Sequence, residues 1–207
     1  MTIKVNKAYL PVKRFFDIVL SLAGLIVLAI PMVIIALIIK LGDGGTVFFK
    51  QERVGRDHQV FNILKFRTMV EDAPDKGGQI TIGQDKRITK VGGFLRKYKL
   101  DELPQLINVF VGHMSLVGPR PEVPKYVRLY DKTQSQVLLV RPGITDLASI
   151  TYRSESDILA QAEDPEKAYV EKIMPEKLRL NIEYINKMSL LFDLRLILRT
   201  LKVVVAE

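Results

Sequence analysis

The chain has no cysteine and no tryptophan, and only two of its 207 residues are histidine. No disulfide and no thiolate metal site can form, and two distant histidines do not make a zinc centre. The missing cysteine also accords with a reducing compartment. Charge is missing over one stretch: Ile18 to Ile39, 22 residues, carries no ionisable side chain. Internal repeats and low-complexity tracts are absent too. The length therefore reads as one domain, or one domain with a membrane element.

What is abundant is positive charge. Lys and Arg number 31 against 23 Asp and Glu, a formal charge of +8. That balance calls for an anionic partner, whether nucleic acid, anionic lipid or a phosphorylated small substrate. The sequence holds no nucleic-acid recognition motif and no basic stripe interleaved with aromatics, so it reads as no nucleic-acid binder.

The uncharged stretch would reach ~33 Å as a straight helix, about the thickness of a hydrocarbon core. It is too long for a signal-peptide core and has no small-residue cleavage site after it. Pro31 cannot donate to the carbonyl of Val27, and it pushes Ile30 away from helical geometry, so a break is expected at Ile30-Pro31. Lys4, Lys7, Lys13 and Arg14 precede the stretch, and Lys40, Lys50, Arg53 and Arg56 follow it. Equal charge on both flanks gives no positive-inside preference. A segment that dips into the bilayer and returns has this symmetry and is favoured over a full crossing; a bitopic anchor and a buried core helix are the alternatives.

Beyond it, Gly42-Asp-Gly-Gly45 marks an exit turn. Thr46 to Phe49 and Val60 to Phe66 read as a hairpin or two short strands. Glu71 to Gly83, with Pro74, Gly77 and Gly78, is expected to be a mobile loop, and Thr89 to Lys99 a helix. Leu103, Leu106, Ile107 and Phe110 have helical spacing, with Gly112 as C-cap and Pro104 in the first turn. Asp101 then falls at or just before that helix N-terminus, beside Glu102. Ser154 to Val170 is weakly helical. Pro175 to Lys187 and Ser189 to Val205 are the last two helices, the final one core or interfacial. The expected fold class is α+β, mostly helical, divided into a segment over 1–40 with the re-entrant helix and a membrane-associated domain over 41–207.

Asp101 alone is a plausible N-cap, and Glu102 suits the positive helix end. Arg120, between two prolines, and Arg141, before Pro142-Gly143, sit in stiff turns suited to holding phosphate in a two-pronged grip. A helix N-terminus adds backbone donors, and a carboxylate there could attack phosphorus if a divalent cation screened the repulsion. Magnesium, held by Asp101 and Glu102 together with substrate phosphates, is the natural ion. The two side chains point about 100° apart on a helix, so distinct roles are expected.

Five stretches in order, Lys13-Arg-Phe-Phe-Asp17, Lys65-Phe-Arg-Thr-Met69, Leu100-Asp-Glu-Leu-Pro-Gln-Leu106, Met114-Ser-Leu-Val-Gly-Pro-Arg-Pro121 and Arg141-Pro-Gly-Ile-Thr145, resemble the small monotopic phosphoglycosyl transferases. These bacterial enzymes start glycan assembly on a polyprenol phosphate, and the resemblance covers nearly the whole chain. It implies that Asp101 is the nucleophile of an Asp-Glu dyad, attacking the β-phosphorus of a nucleotide-diphosphate sugar, usually a UDP-sugar. The aspartyl phosphosugar would then pass to polyprenol phosphate. Glu102 would serve magnesium or positioning. Arg96 and Arg120 would bind phosphate, with Lys65, Arg67 and Arg141 as further candidates. The resemblance also implies a re-entrant helix broken at Pro31, contact with membrane lipids and a catalytic domain on the cytoplasmic face of the bacterial inner membrane; homo-oligomerisation stays open. Two departures stand out: Ile30 where many members have Ser, and Asp146-Leu-Ala148 where many read Gly-Trp-Ala. The competing reading is a non-catalytic membrane-associated scaffold in which the acidic pair only caps a helix.

Overall fold

A computed structural model describes residues 3–73, 85–152 and 155–205. The expected mobile loop over 71–83 therefore lies mostly outside the described residues. In chain order come α1 (Tyr9–Val27), α2 (Ala29–Asp43), β1 (Phe48–Val54), β2 (Val60–Phe66), α3 (Lys90–Lys97) and α4 (Gln105–Val111). They are followed by β3 (Ser115–Val117), α5 (Pro124–Val127), β4 (Gly143–Thr145), α6 (Leu147–Thr151), α7 (Glu155–Ala160), α8 (Pro165–Ala168), α9 (Met174–Lys187) and α10 (Leu190–Val205). The mostly helical α+β reading holds. The short strands pair as an antiparallel hairpin, β1 with β2, and a parallel pair, β3 with β4, which the sequence did not announce.

The uncharged stretch forms two helices bent by 60°. Among the described residues no single helix is long and apolar enough to cross a membrane; the bent pair passes that test together. The break falls at Leu28, not at Ile30-Pro31: Leu28 has φ −93° and ψ 4°, and Ile30 is already helical in α2. Pro31 has no N–H for the carbonyl of Val27, so the missing bond opens the turn before the proline, while Pro31 itself fits a first helical turn. Much of the pair's apolar surface is unburied, with Ile26, Val27 and Ile30 about 70% exposed and Leu41 84%. The pair is not a detached anchor, because α2 continues to Asp43, whose carboxylate takes both terminal nitrogens of Arg67.

The other end of α1 is pinned by buried polar groups. Tyr9 donates to Asp193 on α10 at 2.8 Å, Lys13 reaches the same oxygen, and Tyr184 on α9 donates to the other at 2.7 Å. Asp17 accepts from the Ser115 hydroxyl and the Leu116 N–H, each at 3.0 Å, which fixes β3 against α1. Gly24 allows close packing on α4: a Cβ there would lie 3.2 Å from Leu106. The main core gathers on α9 and α10 around the fully buried Tyr184 and Ile185. Burial of each such side chain contributes about 1.5–3 kcal/mol.

Candidate active site

Asp101 and Glu102 lie in a single 3-10 turn, Leu100–Glu102, entered through Lys99 in the left-handed region at φ +54°. The turn ends before Pro104, which caps α4 with no side-chain bond. Asp101 therefore caps nothing. It is 7% exposed, and its Oδ1 is buried without a hydrogen-bond partner.

Glu102 is as buried, but one of its oxygens is held by two cations. Its Oε1 accepts from Lys65 Nζ at 2.7 Å and Arg120 Nη2 at 2.6 Å. Lys65 comes from β2. Arg120 comes from the turn after β3, which packs so tightly on the Gly143 turn that a Cβ on Gly143 would lie 2.1 Å from the Gly118 nitrogen. Electrostatics separate the neighbours. Burial pushes the Asp101 carboxyl above its ordinary range, with Lys65 opposing. Burial acts the same way on Glu102, but the Arg120 and Lys65 charges outweigh it and hold Glu102 well below the usual carboxylate range. Two adjacent carboxylates driven apart in this way are suited to different tasks.

Arg96 reaches the site from α3. Burial lowers its pKa and the Asp101 charge opposes that, while its Nε donates to Thr68 Oγ1 at 2.8 Å. Gly92 makes the seating possible, because a Cβ there would lie 2.0 Å from the Thr68 carbonyl. Arg67 lines the same cavity but is spent on Asp43 and, at 2.5 Å, on the Thr46 carbonyl. Arg141 is not brought to the dyad. Its Nε donates to the Gly112 carbonyl at 2.9 Å, beside Arg14, which holds the carbonyls of Val109 and Phe110. The open carbonyls at the negative end of α4 draw both guanidinium groups.

The dyad opens on a cavity of about 1790 Å³. Part of its wall is apolar, from Leu20 and Gly24 of α1 and Leu103 and Leu106 beside the dyad; part is polar, including Arg53, Glu122 and Tyr169. Little in the residue pattern signals the polar part. Glu122 follows the Arg120 turn and accepts from Arg53 at 3.2 Å, from the Val123 N–H at 2.8 Å and from the Tyr169 hydroxyl. Only its place next to Pro121 could have drawn notice.

Among the described residues no three His, Asp or Glu side chains gather into a metal cage. The unpartnered Asp101 oxygen offers one ligand, whereas the Glu102 oxygen facing Lys65 and Arg120 already has two cations. One carboxylate plus phosphate oxygens and water is a set that magnesium accepts, so the residues fit an ion that arrives with a diphosphate.

The sequence profile of the bacterial sugar transferases matches residues 8–207. The galactosyl transferase CpsE of Streptococcus agalactiae is 36% identical over 208 residues, covering 95% of this chain and 43% of that protein. The exopolysaccharide production protein ExoY of Sinorhizobium fredii is 34% identical, covering 93% and 84% respectively. The UDP-glucose:undecaprenyl-phosphate glucose-1-phosphate transferase of Escherichia coli is 38% identical, covering 91% and 39%. The chain thus spans less than half of the first and third relatives and most of the second. With the profile matched along nearly its whole length, the chain belongs to the bacterial sugar transferase family.

Proposed function

We propose that the protein is a phosphoglycosyl transferase that moves a phosphosugar from a nucleotide-diphosphate sugar, a UDP-sugar in the first instance, to polyprenol phosphate. The observation that carries this is the buried, unpartnered carboxylate oxygen of Asp101 beside a Glu102 saturated by two cations. An oxygen left without a donor in a basic cavity is free to attack an electrophile. In the first step an Asp101 oxygen bonds to the β-phosphorus. The bond from that phosphorus to the bridging oxygen breaks, and the nucleoside monophosphate leaves with the electron pair. In the second step an oxygen of the lipid phosphate attacks the same phosphorus and releases Asp101. The lipid phosphate is already anionic at neutral pH, so no general base is required.

Glu102 then acts by position: it holds Lys65 and Arg120 where the transferring phosphoryl oxygens gather charge. Arg96 adds a third cation. Magnesium, bound through the substrate phosphates and Asp101, would supply further neutralisation of that charge. The apolar part of the cavity suits a prenyl chain and the polar part a nucleotide sugar. The bent helix pair, with its exposed Ile, Val and Leu, is read as re-entrant from the cytoplasmic face of the bacterial inner membrane. The names of the relatives support this reading, since the Escherichia coli protein is a glucose-1-phosphate transferase acting on undecaprenyl phosphate.

The test is release of nucleoside monophosphate from a panel of nucleotide sugars, with magnesium and polyprenol phosphate, and with chelator as control. A phosphosugar adduct on Asp101, found by peptide mass spectrometry before lipid is added, supports the mechanism. An active, folded Asp101→Asn variant would sink it. Under the scaffold reading that substitution is harmless, because Asn caps a helix about as well as Asp. The absence of any cap bond from Asp101 argues against that reading.

A further inference from the structure

Past Glu122 the cavity continues along a wall that the phosphoryl chemistry does not use. Lys177 and Asn181 stand one turn apart on α9 and both line it, as do Glu155 of α7 and Tyr169 of the π-helical turn before α9. Lys177 Nζ donates to Glu155 Oε2 at 2.6 Å and lies 5.3 Å from the centre of the Tyr169 ring. Both members of the ion pair are largely shielded, with side chains 13% and 27% exposed. Tyr169 in turn donates to Glu122, which shares Arg53 with the Arg120-Pro121 turn. A continuous series of polar contacts thus runs from the dyad through Arg120 to Lys177 and Glu155.

Two buried atoms on this wall have no hydrogen-bond partner: the Asn181 Oδ1, an acceptor, and the Arg53 Nε, a donor. Unsatisfied buried polar groups are costly and call for an explanation where they recur together. Acceptor, donor, ion pair and aromatic ring on one wall have a shared chemical complement. A hydroxyl both donates and accepts, and a pyranose ring presents several of them around an apolar C–H face. A prenyl chain offers neither donor nor acceptor, and a phosphate offers no donor to Asn181 or Glu155.

Resting on the transferase reading above, we propose that Glu155, Tyr169, Lys177 and Asn181 form the glycosyl subsite and set which sugar is transferred. Lys177 and Glu155 each take hydroxyls on the ring, Asn181 accepts from one more, and the Tyr169 face packs against the ring's C–H edge.

The experiment compares Lys177→Met, Asn181→Leu and the conservative Glu155→Gln with the parent enzyme on two donor panels. One panel keeps uridine diphosphate and varies the sugar; the other keeps glucose and varies the base. The readout is kcat/KM for monophosphate release, and in parallel the dissociation constant by titration calorimetry. The preferred sugar should lose its advantage over the next by about tenfold in the variants, the scale of discrimination lost with a sugar-specific hydrogen bond. Discrimination among bases should stay within about twofold of the parent's. Unchanged sugar ratios in folded variants overturn the proposal, and so does a change confined to the base panel, which would make this wall a nucleobase site. A parent enzyme that binds donors with sugar discrimination yet never releases monophosphate would overturn the transferase reading while leaving the subsite assignment standing. Thermal unfolding of each variant separates misfolding from altered selectivity, and Glu155→Gln, at the more exposed end of the ion pair, keeps the test usable if the α9 variants fail to fold.

Discussion

Asp101 and Glu102 are neighbours in the same turn, yet the fold charges them differently, and that difference is measurable. The Asp101 carboxyl is held above its ordinary range, so its ionised form is penalised in the folded state. The penalty is absent below the unfolded value of an aspartate and appears as pH rises through the folded one. Asp101→Asn should therefore be inactive but more stable than the parent at pH 7, with the gain vanishing in acid. Urea titrations at pH 7 and pH 3 check this; equal stability at both would show that Asp101 carries no strain. Glu102 has the opposite sign. Its depressed value contributes stability that is full above the ordinary glutamate range and lost as pH falls through the folded value. Glu102→Gln leaves Lys65 facing Arg120 and should cost about 3 kcal/mol at pH 7, the low end for breaking a buried pair because Arg120 remains partly wetted. The same titrations should show that loss shrinking toward acid pH, and a neutral substitution would mean that the two cations find other partners. That the two carboxylates differ was legible in the sequence, from their divergent directions; which one the cations hold was not. The helix starts later, at Gln105, and the polar partners come from residues 37 positions before Glu102 and 18 after it.

At the scale of elements, periodicity and turn chemistry did well where the determinants were local. Leu106, Ile107 and Phe110 of the stripe lie in α4 with Gly112 at φ +98° as its cap, Leu103 falls before it at the end of the 3-10 turn, and Val60 to Phe66 became β2 with the expected boundaries. A glycine inside a helix weakens it, yet long-range packing of α3 against Thr68 requires Gly92. The parallel pairing of β3 and β4 stayed hidden because three-residue strands have no period to read, and their hydrogen bonds join residues far apart in sequence. Pro31 was rightly seen as a helix breaker and wrongly placed. Its effect acts on the carbonyl four residues earlier, so the break settled at Leu28. Pro31→Ala restores the missing donor and should open the 60° bend toward a single straight helix. Spin labels on cysteines introduced at Val19 and Leu41, both exposed, would report a longer separation, and the chain has no native cysteine to confuse the labelling. An unchanged distance would assign the bend to the Gly24 contact with α4 instead.

At the scale of the whole molecule, Asp101 lines a cavity of about 1790 Å³, larger than the ~300–1,000 Å³ usual for a single small ligand. Under the proposed mechanism the two substrates use the same Asp101 and react in turn, because the nucleophile is covalently occupied between them. Initial rates varied against both substrates should therefore give parallel double-reciprocal lines, and donor without lipid should release one equivalent of monophosphate per enzyme. Intersecting lines would require a direct transfer in which both substrates are bound at once. The bonds that pin α1 have a further consequence, in the order of synthesis. Lys13 and its partner Asp193 are 180 positions apart, and Tyr9 reaches the same carboxylate. At ribosomal speeds of ~5–20 residues per second, the first helix waits roughly 10–40 s for the residue that neutralises its lysine. During that interval the apolar pair has no catalytic domain to rest on, so its early fate is decided by the surroundings of the nascent chain. The contact between α1 and α10 thus forms late, and arrest of synthesis before α10 would leave a helix pair with an unpaired charge.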